Sequence, residues 1–146
     1  MSIILRSYKR YSCDLRWPAT VNIVNNLVVQ CVDLRGHYHR KRSHAETYQA
    51  LSGRGLVLFE RDDGTTRTAE LAPGKVTYVP PFWAHRSVNT SDVPLVFLWT
   101  CSVEAGHDYE GLGGHGMRQV VVERNGVPSV EYRARAQAQA SAERVQ

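Results

Sequence analysis

The chain has 146 residues, 42% of them hydrophobic, and a formal net charge of +4 with a pI near 9.1. That is room for one domain with a single core. No run approaches the roughly 20 apolar residues of a membrane span, and Ile3-Ile4-Leu5 is too short a run for a signal peptide, so no membrane partner is expected. The basic residues are scattered, with one small cluster at Arg40-Lys41-Arg42. This argues against nucleic acid as a partner; the cluster either attracts an anionic substrate or is a solvated loop. Cys13, Cys31 and Cys101 are an odd number without metal-type pairing. They read as reduced thiols of a cytoplasmic protein.

Residues 1–25 have little periodicity and receive no element. Asn26 to Asp33 reads as a strand leading into Gly36-His37-Tyr38-His39. Glu46 to Leu51 is a β-prone run, and Ser52-Gly53-Arg54-Gly55 is a turn before a strand at Leu56 to Glu60. Asp62-Asp63-Gly64 turns the chain into a strand from Thr66 to Leu71, and Pro73-Gly74 turns it again. Lys75–Val79, His85–Val88 and Pro94–Cys101 follow as strands. On the last, Leu95, Phe97, Trp99 and Cys101 alternate with Val96, Leu98 and Thr100, so both faces should be covered. Arg118–Glu123 and Val127–Tyr132 flank Asn125-Gly126, a strong hairpin signal. Many short strands with almost no helical period predict an all-β barrel or sandwich. Residues 134–146, rich in Ala, Gln and Arg, read as a tail outside the site.

His37 and His39 are two apart, so an extended strand would send both rings to one face. Glu46 and His85 complete a set of three imidazoles and one carboxylate. Such a set suits one divalent first-row metal, with Fe, Mn, Ni and Zn all possible and part of the coordination sphere open. A buried, unpaired carboxylate is costly, and a metal would be its partner. Tyr48 shares the parity of Glu46 and should face inward, with its hydroxyl toward the site or its ring packed in the core.

The spacing His37-x-His39-x6-Glu46-x6-Gly53 resembles the first cupin motif. Gly74-x5-Pro80-x-Phe82-x2-His85-x3-Asn89 resembles the second, with Phe82 where glycine is usual. The longer text narrows this. Gly36-His37-Tyr38-His39, Ala45-Glu46-Thr47-Tyr48, Tyr78-Val79-Pro80-Pro81-Phe82-Trp83-Ala84-His85-Arg86 and Ala105-Gly106-His107-Asp108-Tyr109 are similar to the cupin-type glucose-6-phosphate isomerases. The resemblance runs from about Gly36 to Val122 and is not recognisable upstream.

It implies an all-β fold, a single cupin jelly-roll barrel over residues 26–133. It also implies a homodimer acting on glucose 6-phosphate and fructose 6-phosphate, small-molecule sugar phosphates. His37, His39, Glu46 and His85 would hold the metal, Glu46 would shuttle a proton, and Tyr48, His107 and Tyr109 would meet the substrate. Cys101 stands where the family has a tyrosine that helps to hold the phosphate, so phosphate should be held loosely. A metal-dependent oxygenase and a non-catalytic sugar-binding cupin are the alternatives.

Overall fold

The computed structural model describes residues 9–12, 19–24 and 36–133. Ten strands run in chain order: β1 (Lys9–Ser12), β2 (Ala19–Val24), β3 (Glu46–Ser52), β4 (Gly55–Glu60), β5 (Thr66–Leu71), β6 (Val76–Val79), β7 (Ala84–Asn89), β8 (Leu95–Cys101), β9 (Gln119–Arg124) and β10 (Val127–Tyr132). One short 3₁₀ turn, Glu110–His115, interrupts them. Every strand pair is antiparallel. They form a five-stranded sheet in the order β1-β2-β8-β3-β6, a three-stranded sheet β5-β4-β7 and a hairpin β9–β10. Among the described residues no single closed barrel is formed.

Local chemistry explains most boundaries. Asn125 and Gly126 both take positive φ, 52° and 78°, as a two-residue hairpin turn requires, and Arg124 pairs with Val127 across it. β4 reads Leu56-Val57-Leu58-Phe59 without polar alternation because both its faces are covered. Val57 and Phe59 join Tyr48, Ala50, Leu71, Val79, Leu95 and Phe97 in the core between the two sheets. Leu58 turns the other way, into a second cluster with Val88, Met117 and Val121 against the β9–β10 hairpin. Leu58, Leu71 and Leu95 are wholly buried, each worth roughly 1.5–3 kcal/mol of transfer free energy.

Two expectations need correction. Residues 19–24, left without an element, form β2, which pairs along β8 from Ala19↔Thr100 to Val24↔Leu95; β1 adds outside it. His37 and His39 are not on a regular strand. His37 and Tyr38 instead make isolated bridges, to His85 and to Asp108. The expected strand at Asn26 to Asp33, and the tail from 134, lie outside the described residues.

Candidate metal centre

The segment at His37 is held from both sides by backbone. His37 N–H donates to His85 O and His85 N–H to His37 O, at 3.3 and 2.9 Å. Tyr38 and Asp108 exchange a second pair, at 3.0 and 2.8 Å. These four bonds place the His37 segment between β7 and the 105–108 loop. Gly36 makes the approach possible. Its φ is +76°, and a Cβ there would meet Met117 Sδ at 2.6 Å and the His85 carbonyl at 3.1 Å. A larger residue would push the histidine segment off β7.

His37, His39 and His85 thereby converge, with one ring nitrogen from each lying within 4.8 Å of the others. His39 and His85 are buried and His37 nearly so. Glu46, 2% exposed, sits at the start of β3 between Val79 of β6 and Cys101 of β8. Its Oε2 lies 3.2 Å from His39 Nε2 and its Oε1 lies 2.8 Å from His85 Nε2.

The other ring nitrogens decide what those contacts mean. His39 Nδ1 lies 2.9 Å from the His44 carbonyl, and His85 Nδ1 lies 3.2 Å from the Trp83 carbonyl. A carbonyl only accepts, so both Nδ1 atoms carry the proton. In a neutral ring each Nε2 is then a lone pair aimed at a carboxylate oxygen. Glu46 Oε1 and His85 Nε2 are buried without any hydrogen-bond partner except this mutual approach. Acceptor facing acceptor in a buried site calls for a cation between them: a second ring proton or a metal ion. The donor set fits a divalent metal.

The electrostatics agree. Burial, then the neighbouring imidazoles of His85 and His107, lowers His37 to about 2, so it stays neutral. Burial also pulls His39 down, but its hydrogen bonds to Glu46 and to the His44 carbonyl outweigh this and leave it raised. Burial alone would raise Glu46. The close approach of the His85 and His39 rings, either of which can carry a second proton, and the Tyr48 hydroxyl more than offset it, and the carboxylate is held well below its usual range.

The other expected site residues gather on the same side. Tyr48 faces inward as its parity requires, with its ring 6.1 Å from His85 and 5.1 Å from Phe97. Its ring packs in the core, one of the two roles expected of it, and its hydroxyl bonds Glu46, a partner that was not expected. His107 lies 4.6 Å from His37, centroid to centroid, and Tyr109 lies 5.4 Å from it. Those two rings stack almost parallel, 5.7 Å apart. Trp99 was missed. It lies 5.6 Å from His107 and has the parity of Cys101, which pairs directly with Glu46; that shared parity was the available signal. The His44 carbonyl fixes the ring of His39.

A profile of the glucose-6-phosphate isomerase (GPI) family matches residues 11–137, which is most of the chain. The chain belongs to the glucose-6-phosphate isomerase family. The match reaches well upstream of Gly36, where no resemblance was recognised. Glucose-6-phosphate isomerases of Pyrococcus abyssi and Thermococcus litoralis are 41% and 42% identical to it over 113 residues, 77% of this chain. The chain spans 60% of the length of these curated relatives, which belong to the archaeal, cupin-type branch. Among solved structures, the capsular polysaccharide assembling protein CapF from Staphylococcus aureus superposes with a TM-score of 0.50 at 17% identity. That covers 65% of this chain and 30% of CapF, and the likeness is one of fold alone.

Proposed function

We propose that the chain is a metal-dependent aldose–ketose isomerase that interconverts glucose 6-phosphate and fructose 6-phosphate. One observation carries the reading: in a chain of this family, two imidazole lone pairs face one buried carboxylate. His37, His39, Glu46 and His85 would hold one divalent ion, with Fe, Mn, Ni and Zn all compatible. Bound there, the ion supplies Lewis acidity toward a carbonyl and its neighbouring hydroxyl.

The proposed work of the protein groups is proton handling and orientation. Glu46 takes a proton from one of carbons one and two and returns it to the other, while carbonyl and hydroxyl exchange places. No electron or proton leaves the pair. The contacts that keep Glu46 ionised also make it a weak base, so it must give up one of them as substrate enters. Tyr48 steadies the carboxylate. His107 and Tyr109 meet the sugar beside His37.

The finer architecture is a cupin jelly-roll barrel. We extend its domain from the expected 26–133 back to include β1 and β2, because β2 pairs with β8 from Leu95 to Thr100. The outer face of the five-stranded sheet supports a homodimer. Leu51, Val76 and Tyr78 are exposed there, beside half-buried Val96 and Leu98. No helix of the described residues is long and apolar enough to cross a membrane, and a cytoplasmic location is part of the proposal. A second reading, a sugar-binding cupin without turnover, is favoured by Cys101 directly opposite Glu46, where a thiol is a poor donor to phosphate.

The test is metal content of the purified protein measured together with fructose 6-phosphate turnover. About one ion per chain with metal-dependent turnover supports the isomerase. A fully loaded protein that binds the sugar phosphate without turning it over overturns it in favour of the second reading.

A further inference from the structure

Arg42 lies in the loop between His39 and Glu46, and four segments of the site end on it. Its Nη1 forks onto both oxygens of Asp62, at 2.9 and 2.8 Å, in the turn between β4 and β5. Its Nη2 reaches Asp108 Oδ2 at 3.5 Å, and Asp108 is the residue between His107 and Tyr109. The guanidinium carbon sits 3.8 Å over the ring of Tyr38, the residue between His37 and His39. Its own carbonyl accepts from Phe82 N–H at 2.7 Å, three residues before His85. Tyr38 also hydrogen-bonds Asp62, which closes the network.

Two observations indicate that this node is packed rather than incidental. Phe82 has φ +67°, a left-handed conformation that L-residues hold only when their surroundings enforce it. A Cβ at Gly111 would meet Asp108 Oδ2 at 2.6 Å, Arg42 Nη2 at 2.7 Å and Tyr38 Cδ2 at 3.1 Å. The chain has left room for the node at that position, and Gly111 N–H bonds Asp108 Oδ1 at 2.9 Å. Exposed ion pairs contribute little as a rule, but charges joined in a network are the exception. Arg42 is only 28% exposed, and Tyr38 beneath it 2%.

We propose that Arg42 is a positioning residue, whose single guanidinium sets the His107–Asp108–Tyr109 loop over the imidazole cluster. Asp62 anchors the fork, the Tyr38 ring supports it from below, and Asp108 carries the result to the two rings that stack beside His37. Lysine cannot replace it, because its single nitrogen cannot do what Nη1 and Nη2 do together, one meeting Asp62 and the other Asp108.

The kinetic part of the test rests on the isomerase reading; the exchange part does not. Arg42→Ala and Arg42→Lys are compared with the parent protein, all metal-loaded. The readouts are metal per chain, kcat and KM for fructose 6-phosphate, and hydrogen exchange at the Asp108 and Phe82 amides against amides in β3 and β8. Arg42→Ala should leave about one ion per chain. It should speed exchange at Asp108 and Phe82 about tenfold, the size expected for losing a charge-assisted hydrogen bond. It should also lower kcat about 10- to 100-fold, as displaced catalytic surroundings do, with KM changed about threefold or less. Arg42→Lys should recover less than half of the lost kcat on a logarithmic scale. Unchanged exchange at Asp108 in both variants overturns the proposal, as does exchange that quickens equally in β3 and β8. If the metal-loaded parent turns over no fructose 6-phosphate, the isomerase reading fails, and the exchange pattern alone decides the role of Arg42.

Discussion

Glu46 and Asp62 are carboxylates in contact with three and two side chains respectively, and their surroundings could hardly differ more. Glu46 is buried, and its imidazole neighbours spend their Nδ1 protons on backbone carbonyls. Asp62 lies in an exposed turn and meets only donors: the Tyr38 hydroxyl and the Arg42 guanidinium. The Tyr38 and Arg42 hydrogen bonds lower the Asp62 carboxyl and satisfy it. Glu46 is left requiring a cation. A carboxylate's neighbours, and where their protons already point, thus separate a binding centre from a brace.

The largest effect that could break this contrast is loss of a proposed ligand. His39→Ala removes one imidazole from the cluster and should lower metal affinity by more than the roughly 10- to 100-fold typical of losing an outer-sphere partner. Circular dichroism should show the β-structure retained. An unchanged metal load after dialysis would mean that the three imidazoles are not the site.

Glu46→Gln separates the two proposed duties of the carboxylate. It keeps the size and one ligating oxygen and removes the basic charge. Turnover should fall about 10²-fold or more in protein that still carries metal. Near-normal turnover at full occupancy would assign the proton transfer to another group, or point to a hydride shift.

Cys101→Tyr tests the end of the site where the resemblance implies a tyrosine in place of Cys101. One hydrogen bond to a charged group is worth about 1.5–3 kcal/mol, so fructose 6-phosphate should bind roughly 10-fold tighter or better if the pocket is otherwise intact. Cys101 is half-buried, and a tyrosine there risks overpacking. A melting temperature taken on the same variant distinguishes crowding from a missing phosphate pocket.

How much of this was legible depended on how local each cause was. The Asn125-Gly126 hairpin and the strands from Thr66 to Leu71 and Val127 to Tyr132 follow from turn chemistry and short-range pattern, and they appear where expected. The histidine motif predicted convergence correctly, although its strand is only a pair of bridges; alternation of side chains survives in so short an extended segment. The alternation of Val21 and Ile23 around Asn22 was a readable strand signal that went unread. The Arg42 node was not legible, because its partners lie 20 and 66 residues away in sequence and only the closed structure brings those loops together. Phe82 carried half a signal: it stands where the motif has glycine, and it has the backbone conformation that glycine favours.

The pH dependence of metal binding should separate the two carboxylates further. His39 is raised from its ordinary value of 6.5, so it keeps a proton at pH values where a free imidazole has shed it. That proton and the metal compete for the same Nε2. Affinity should therefore increase as pH rises toward the shifted value of His39 and be lost as pH falls through it, by about tenfold per unit for one displaced proton. His37, lowered to about 2, adds no competition in the neutral range. Titration calorimetry in two buffers of different ionisation enthalpy would count the released proton. No proton release near neutrality would show that His39 does not hold one in the free protein.

The smallest expected effect concerns the brace. Phe82 is more than half exposed and holds φ at +67°, a conformation that costs an L-residue about 1–2 kcal/mol. Phe82→Gly removes that strain but admits glycine's greater freedom in the unfolded chain, about 0.5–1 kcal/mol. The balance favours the variant by up to about 1.5 kcal/mol, visible as a small rise in the denaturation midpoint with an unchanged slope. Metal content should not move, because the bond from residue 82 N–H to the Arg42 carbonyl is made by backbone and survives the substitution. A loss of more than about 1 kcal/mol would instead show that the phenyl ring itself holds the turn, and that the carbonyl of Arg42 is not what enforces the left-handed backbone.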